Sequence, residues 1–491
     1  MLGIVSTALL LIALDNTILY TALPTLSRDL GATSSQQLWI INSYPLLMAG
    51  LLLGSGSLGD RFGHKRIFQV GLVIFGLASL AAAFAPTSAL LILARALLGV
   101  GAAAMMPATL ALIRITFALE RERNVAIGIW AATATVGMTL GPIVSGVLLE
   151  HFWWGSVFLI NVPLVIAASV LMIVVGPRNI ANPARRWDAV SSAQALVGMG
   201  AAVLAMKTWA ESPIDYPVAA SSTAAGVVML FIFVRRQLRL ARTREPLVDF
   251  GIFGNCGFSG GVLAAGTSIF GIVGIQLVVT QRYQLLEGFS PLEAGLVVSA
   301  LAAASLPFAL FGGAVLHRVG LLVLIGGGLS LAAAGGLIAV WAAQLDALVL
   351  LVTAMLVIGA GLGAAMSVAS SAIMGNVPPR RAGMAASLEE VSYEFGGLLG
   401  VATMGSLLTL VYTRTLMLPE GAGQWAQQSP AAALQSGDPV VVAAAAESFD
   451  LAYLAVLIAV AGVLLVGAAG SVLLLRRYTP GSPSQQYPDN H

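Results

Sequence analysis

Four acidic residues lie inside stretches of sequence that are otherwise strongly apolar, and they are the side chains best placed to carry chemistry. Asp15 interrupts the first apolar stretch, and Glu389, Glu390 and Glu394 fall together in a late one. If these stretches cross a bilayer, each buried charge costs at least roughly 2.5 to 3.5 kcal/mol, so acids there are functional candidates. Carboxylates in such positions can bind a proton or a cation reversibly.

The three glutamates are expected to fall on two different faces of one helix. Glu390 and Glu394 are four residues apart and share one face of a helix, whereas the face of Glu389 diverges from that of Glu394. When the helix is viewed along its axis, Tyr393 projects between the directions of Glu389 and Glu390. Two carboxylates in one low-dielectric cavity resist simultaneous ionisation, so at least one should bind a proton near neutral pH. We rank Asp15 first as the proton and cation carboxylate, Glu390 and Glu394 next, and Glu389 last.

One basic and three aromatic residues accompany these acids inside apolar stretches. Arg95 is predicted at a depth similar to that of Asp15, so an ion pair that opens on protonation is geometrically possible. Alternatively, the acids are neutralised structural partners of buried donors such as Arg95. Three aromatic rings could line a pocket for lipophilic cations through cation–π contacts, or pack in the core or against lipid; they belong to Tyr44, Trp130 and Tyr393.

Membrane-spanning helices are the elements predicted to hold these side chains. The 491 residues are 58% hydrophobic and 9% charged, whereas soluble domains carry about 25% charged residues. A spanning helix needs about 20 mostly apolar residues. We predict fourteen spans, centred near residues 12, 47, 76, 102, 136, 166, 200, 226, 268, 302, 332, 359, 398 and 462. The predicted fold class is therefore an all-α polytopic membrane protein.

The basic residues predict an orientation, because cytoplasmic loops retain positive charge. Of the 24 lysines and arginines, 19 fall in loops after even-numbered spans or in the C-terminal tail. Both termini are therefore predicted to be cytoplasmic, in an inner membrane. The first span lacks a basic leader region and a clear cleavage site, so we expect it to be retained.

Several classes of chemistry have no support in the sequence. The net charge is +2 and the basic residues are dispersed, so no nucleic-acid partner is indicated. The single cysteine, Cys256, excludes an intramolecular disulfide, and the four scattered histidines have no metal-ligand spacing. No phosphate-binding loop of the GxxxxGK[ST] type is present, so no cofactor is expected and energy should come from an ion gradient. No catalytic constellation inside the membrane is visible, which disfavours a membrane enzyme.

A weak internal repeat predicts the domain organisation. Residues Gly56 to Gly63 resemble residues Gly313 to Gly320, which lie 257 positions later in the other half. Repeats of this kind imply alternating access around a site at the midplane. The predicted units are residues 1–180 (six spans), 181–250 (two inserted spans), 251–478 (six spans with an outward segment at 413–447) and a disordered cytoplasmic tail at 479–491. The end of the outward segment, Val440 to Glu447, is expected to extend the last helix.

One loop and three spans carry motifs. The loop GSLGDRFGHKR resembles the signature loop of the major facilitator superfamily. In that loop, glycines permit close helix approach and the acid holds a cytoplasmic gate. The corresponding residues here are Gly56, Gly59, Asp60, Arg61, Gly63, Lys65 and Arg66. The span segment GMTLGPIVSG resembles the antiporter motif of drug exporters in that superfamily, with Gly137, Gly141, Pro142 and Gly146 as its packing and kink residues.

LDNTILYTALP at Leu14–Pro24, FLINVP at Phe158–Pro163 and the Arg95, Gly99, Gly101 pattern resemble the fourteen-span drug:proton antiporters, especially exporters of quaternary ammonium compounds and methyl viologen. The resemblance implies two six-helix bundles with two extra central helices, a monomer, and proton-driven export of lipophilic cations such as cationic dyes and biguanides. It also implies that Arg95 assists proton movement. The alternative is an exporter of an endogenous metabolite or lipid, or of non-cationic drugs. A channel would require a selectivity loop or polar pore stripes, and the asymmetric acids fit alternating access better.

Overall fold

A computed structural model of the chain describes residues 1–32, 34–182, 188–210, 214–242, 246–378, 381–417, 430–434, 436 and 438–478. These ranges contain fourteen long helices and no strand, and each predicted span centre lies inside one of the helices. The prediction of an all-α protein with fourteen spans is therefore confirmed. The helices are α1 (Leu2–Asp29), α2 (Ser34–Phe62), α3 (His64–Ala83), α4 (Ser88–Thr116), α5 (Glu120–His151), α6 (Asn161–Val175), α7 (Ala189–Ala210), α8 (Tyr216–Leu240), α9 (Cys256–Leu285), α10 (Pro291–Val319), α11 (Gly327–Gln344), α12 (Leu348–Gly375), α13 (Ala382–Thr415) and α14 (Pro439–Leu475).

Thirteen of these helical spans are long and apolar enough to cross a membrane by length and composition. The remaining long helix is α5, which begins with four charged side chains and then has no charged residue at 125–149, a stretch that is also long enough to span. Short helical segments at Ser156–Leu159 and Leu322–Gly326 lead into α6 and α11. The chain is thus a multi-pass membrane protein.

Two glycines mark equivalent turns in the two halves. Gly63 has a φ of 94° between α2 and α3, and Gly320 has a φ of 84° after α10. Side chains strain the backbone at such angles, which explains why glycine stands at both places. The two turns occupy the matching positions of the repeat that the sequence predicted.

Many helices pack against partners in their own half of the chain, whereas α5 packs along α10, and both α2 and α4 contact α13, across the halves. Contacts join α1 to α5, α2 to α4 and α3 to α4 in the first half, and α9, α10, α12, α13 and α14 in the second. The inserted helices α7 and α8 pack on each other, and α7 also contacts α2 and α13. The exact domain limits stay a prediction.

The inserted pair is held by polar contacts at one end. Asp188 accepts hydrogen bonds from the backbone of Ser191 (3.2 Å) and from the Arg236 Nη2 (3.0 Å). Partial burial raises the pKa of Asp188, but the Ser191 hydrogen bonds and Arg236 outweigh this effect and lower the pKa below its usual value. Buried Gln237 donates to the Ser191 hydroxyl (2.7 Å) and accepts from the backbone N–H of Leu247 (2.7 Å), so it also holds the connection to α9.

Some predicted features fall outside the described residues. These are the tail at 479–491 and residues 418–429, 435 and 437 of the outward segment 413–447. Of that segment, the structure describes a short helix at Pro430–Leu434. α14 begins at Pro439, so Val440 to Glu447 does extend the last helix, as expected.

Candidate substrate and proton site

The two charges predicted at similar depth, Asp15 and Arg95, face each other. Arg95 Nη1 on α4 donates to Asp15 Oδ2 on α1, and only 1% of each side chain is exposed. The Arg95 Nε also donates to the Ile40 carbonyl on α2 (3.3 Å). A buried ion pair must be well bonded to offset the cost of desolvating both charges, and this one ties three helices together.

Asn161, at the start of α6, completes the environment of Asp15. Its Nδ2 donates to Asp15 Oδ1 (3.2 Å) and to the Ser79 hydroxyl (3.3 Å). Both oxygens of Asp15 therefore have donors, one charged and one neutral. The sequence analysis assigned Asn161, which belongs to the FLINVP motif, no role of its own. A lone amide at the start of a strongly apolar helix was the feature that could have indicated one.

Tyr44 on α2 lies against the ion pair. The Arg95 Cζ is 4.7 Å from the centre of the Tyr44 ring, and the tyrosine is fully buried. Gly99 makes this approach possible, because a Cβ there would press on the backbone of Tyr44. In this conformation the chain's own guanidinium covers a ring face that was predicted to meet substrate.

Trp130 on α5 is also enclosed. Its indole N–H donates to the Thr109 hydroxyl on α4 (3.0 Å), and the side chain is almost fully buried. The contact packs α4 against α5. A role for Trp130 in a substrate pocket stays a prediction.

Glu389 on α13 points into the second half of the protein. Its Oε1 accepts hydrogen bonds from the Ser370 hydroxyl on α12 and from the Tyr393 hydroxyl (2.9 Å). Ser370 and Tyr393 are 3.1 Å apart, so the three groups form a closed triangle. Glu389 Oε2 is buried without a partner among the described residues. Sequence reasoning missed Ser370, since one serine in an apolar helix gives no signal of its own.

Glu390 is buried as deeply as Glu389 but is bonded less. It is 1% exposed, and its Oε1 has no hydrogen-bond partner in the ranges that the structure describes. Glu394, one turn further along α13, is half-buried. We ranked Glu389 last because its face of the helix diverges from that of Glu394. The structure places the Glu389 face against α12.

The acids on α13 and the ion pair meet at one level of the molecule. Ser387 on α13 donates to the Leu52 carbonyl on α2 (2.8 Å), and the two helices run in opposite directions. Counting about two turns from that contact brings Tyr44 level with Glu394. Because the Tyr44 ring lies against Arg95, the ion pair lies near this level as well.

The signature loop joins the two halves at the end of the molecule that we call the basic end, defined by residues 56–66. Asp60 Oδ1 accepts from the Gly383 N–H at the start of α13 (3.2 Å) and contacts His64 Nε2 (3.1 Å). A carboxylate at a helix N-terminus is stabilised by the unpaired N–H groups there. Glycine at 59 leaves space for the His64 ring, and Gly56 packs on Gly383.

The remaining loop residues support the turn between α2 and α3. Lys65 Nζ donates to the Gly176 carbonyl (3.2 Å), and the Arg66 N–H donates to Asn179 Oδ1 (3.2 Å). The guanidinium of Arg61 lies 5.1 Å from the centre of the Phe62 ring. The Lys65 side chain and the Arg66 backbone thus fasten the loop to the segment that follows α6.

Other contacts close the same end. Arg381 Nη1 donates to Asp249 Oδ2 (2.6 Å), and Arg114 donates to the Val377 carbonyl across the two halves. Gly313, the repeat partner of Gly56, packs on the Asn124 backbone at the start of α5. The sequence predicted none of these pairings, because each joins residues far apart in the chain.

The antiporter motif packs α5 on α1. A Cβ at Gly137 would lie 2.6 Å from the Ala13 side chain, and a side chain at Gly141 would collide with Thr17. Ser145 donates to the Ile18 carbonyl (3.1 Å). Gly146 faces open space, and the side chain of Pro142 lies outside the described residues. The motif therefore sets the position of the helix that bears Asp15.

We expect Gly383→Val to open the basic end. A Cβ at Gly383 would lie 2.7 Å from His64 and 2.8 Å from Asp60, so the two halves must separate to admit it. In a Cys256→Ser background, Ser387→Cys should react faster with a membrane-impermeant maleimide when Gly383→Val is present. Gly146→Val, a glycine with free space around it, is the matched control and should leave the rate unchanged. Equal labelling in all three proteins would contradict this account of the closed end.

Among the described residues, no three His, Cys, Asp or Glu side chains come together as a metal site. The candidate site therefore consists of carboxylates, one arginine, hydroxyls and amides. Such groups bind protons and organic cations through charge and hydrogen bonds.

Comparison with known proteins gives four findings. A profile described as the Major Facilitator Superfamily matches residues 5–401. The chain is 37% identical over 440 residues to the methyl viologen resistance protein SmvA of Salmonella typhimurium, covering 88% of this chain and 86% of that protein. It is 38% identical over 448 residues to the multidrug efflux pump LfrA of Mycolicibacterium smegmatis, covering 90% of this chain and 87% of that protein.

Among solved structures, the human organic anion transporter MFSD10 (TETRAN) matches with a TM-score of 0.65 and 14% identity, over 96% of this chain and 98% of that chain. The last likeness shows the fold alone.

Proposed function

The chain belongs to the major facilitator superfamily, and from that premise we propose that it is a proton-coupled exporter of lipophilic cations. Relatives that share most of its length are named for methyl viologen resistance and for multidrug efflux. Methyl viologen is a permanent organic cation, so a protein that exports such compounds needs buried negative charge. The proposed substrates are quaternary ammonium compounds, methyl viologen, cationic dyes and biguanides.

One observation carries the proposal: two groups of buried carboxylates approach the same level from opposite halves of the protein. Asp15 lies on the first half and Glu389 and Glu390 on the second, and all three are at most 2% exposed. Buried acids are costly, so their retention in an apolar interior indicates use. Alternating access between the halves exposes such a site to each side in turn.

The proposed mechanism is competition between a proton and a cation. A cation arriving from the cytoplasm or the inner leaflet binds to deprotonated carboxylates. Protons arriving from outside neutralise the same groups, and the cation is released there because its attraction to the site is lost. Asp15 is the principal exchanging group, with Glu390 and Glu394 next and Glu389 last, and Arg95 assists proton movement as a relay.

The contacts at the basic end support an assignment of the conformation. We place that end in the cytoplasm, because positive residues concentrate there, with both termini on the same side and the protein in the bacterial inner membrane. Since the Asp60–Gly383 and Arg114–Val377 contacts join the two halves at this end, we infer that the site is closed to the cytoplasm in this conformation. A monomer suffices for this mechanism.

We expect everted vesicles that contain the protein to take up ethidium and methyl viologen only while a proton gradient is present. A protonophore should reduce uptake to that of vesicles without the protein, because no nucleotide site supplies energy. Vesicles carrying Gly383→Val should show the same loss if closure of the basic end is part of the cycle. If the wild type moves neither compound and confers no resistance, an exporter of a metabolite, a lipid or non-cationic drugs becomes the better account.

A further inference from the structure

The environment of Arg95 contains the groups that a lipophilic cation would need. Its guanidinium contacts the Asp15 carboxylate and lies 4.7 Å from the centre of the Tyr44 ring. An acid and an aromatic face are the two groups through which proteins bind organic cations. Arg95 occupies both at once, and 1% of its side chain is exposed.

The carboxylates of the second half are in a different condition. Glu390 Oε1 and Glu389 Oε2 have no partner in the described part of the chain, whereas both oxygens of Asp15 are bonded. The glutamates therefore keep oxygen atoms to which a cation could bind without displacing a group of the protein. It can reach Asp15 and Tyr44 only if Arg95 leaves them.

We propose that Arg95 is a resident substitute for the substrate: with the basic end closed and no substrate bound, its guanidinium occupies the Asp15 carboxylate and the Tyr44 ring face that the exported cation takes in its turn. The inference rests on the proposed function and adds a specificity role for Arg95 that differs from proton relay. Return of Arg95 to Asp15 and Tyr44 removes the cation's partners and promotes its release. Asp15 is then never left as an uncompensated buried carboxylate.

Substitution of Arg95 separates this role from others. A competitor lowers the affinity for the ligand that it competes with, so Arg95→Gln should bind ethidium more tightly at pH 8, by roughly tenfold. Efflux should become slower at saturating ethidium while KM falls, because the group that promotes release is missing. The increase in affinity requires the carboxylate, so it should vanish in the Asp15→Asn, Arg95→Gln double variant.

The experiment is equilibrium binding of ethidium to the purified full chain in detergent, followed by fluorescence, with thermal unfolding measured on the same samples. Arg282→Gln is the matched control. Arg282 is another buried arginine, 2.9 Å from Asp450 and 3.2 Å from Glu287, but it lies at the other end of the second half. Its loss should leave ethidium affinity unchanged. Ethidium should also raise the melting temperature of Arg95→Gln more than that of the wild type.

The outcomes divide clearly. Unchanged affinity with lost efflux in Arg95→Gln would mean that the arginine acts only as a proton relay, and the proposal fails. Weaker binding together with a lower melting temperature that ethidium does not restore would show a structural role and would also overturn it. If the wild type neither binds nor exports ethidium or methyl viologen, it is the proposed function that fails, and this result is distinct from both.

Discussion

Asp15→Asn is expected to reduce proton-driven efflux to the level of vesicles without the protein. The substitution removes the titratable group while keeping the size of the side chain. Without a carboxylate at this position, a proton gradient has no group through which to exchange with the cation on the first half of the protein. Ethidium uptake into everted vesicles at two external pH values is the measurement, with the amount of protein in the membrane determined for each variant.

The same substitution should also destabilise the protein. Removal of one partner from a buried ion pair leaves the other charge uncompensated, at a cost of about 3 to 5 kcal/mol in the free energy of unfolding. The amide itself can be accommodated. Its oxygen can accept from Arg95, and its NH2 group can donate to Asn161 Oδ1 once the Asn161 amide, whose Nδ2 now faces Asp15, turns over.

Two further variants distinguish lost coupling from lost stability. The Asp15→Asn, Arg95→Gln double variant carries neither charge, so it should recover most of the stability and remain inactive. Asp15→Glu keeps the carboxylate and should retain partial efflux. Efflux by Asp15→Asn that still responds to the pH gradient would contradict the assignment of Asp15 as the principal exchanging group.

Glu390→Gln should have the opposite effect on stability and a similar effect on transport. Glu390 is buried with an oxygen that lacks a partner among the described residues. Replacing it with a neutral amide removes a carboxylate that the interior tolerates poorly, so the free energy of unfolding should stay the same or rise by on the order of 1 kcal/mol. Cation efflux should nevertheless be lost, because a direct electrostatic partner of the substrate is missing.

Glu389→Gln is the matched comparison on the same helix. Its amide oxygen can keep the hydrogen bonds from Ser370 and Tyr393 that the carboxylate accepts. We therefore expect little change in stability and a smaller loss of efflux than for Glu390→Gln, in agreement with the lower rank of Glu389. Melting temperatures and vesicle uptake, measured side by side for the two variants, test this difference between Glu389 and Glu390. A marked drop in the melting temperature of Glu390→Gln would indicate that Glu390 is a structural partner.

Much of the fold and the candidate acids could be predicted from the sequence, because both depend on local composition. A run of about 20 apolar residues predicts a span wherever it occurs, and all fourteen predicted centres lie in helices. The acids were identified because charge inside such a run is rare. The signature loop was predicted from its motif, and the positive φ of Gly63 supplies the physical reason for the glycine at that position.

Only the tertiary structure decided which of these residues act on one another. Arg95 and Asp15 are 80 positions apart, and Asn161 is 146 positions from Asp15. Their meeting depends on how far each helix is rotated about its axis and how closely its neighbours approach, as glycines at 99 and 137 permit. Those quantities follow from the packing of all helices together. For the same reason, sequence alone could place Tyr44 and Glu389 inside the membrane, but it could not show that Tyr44 faces Arg95 or that Glu389 faces Ser370.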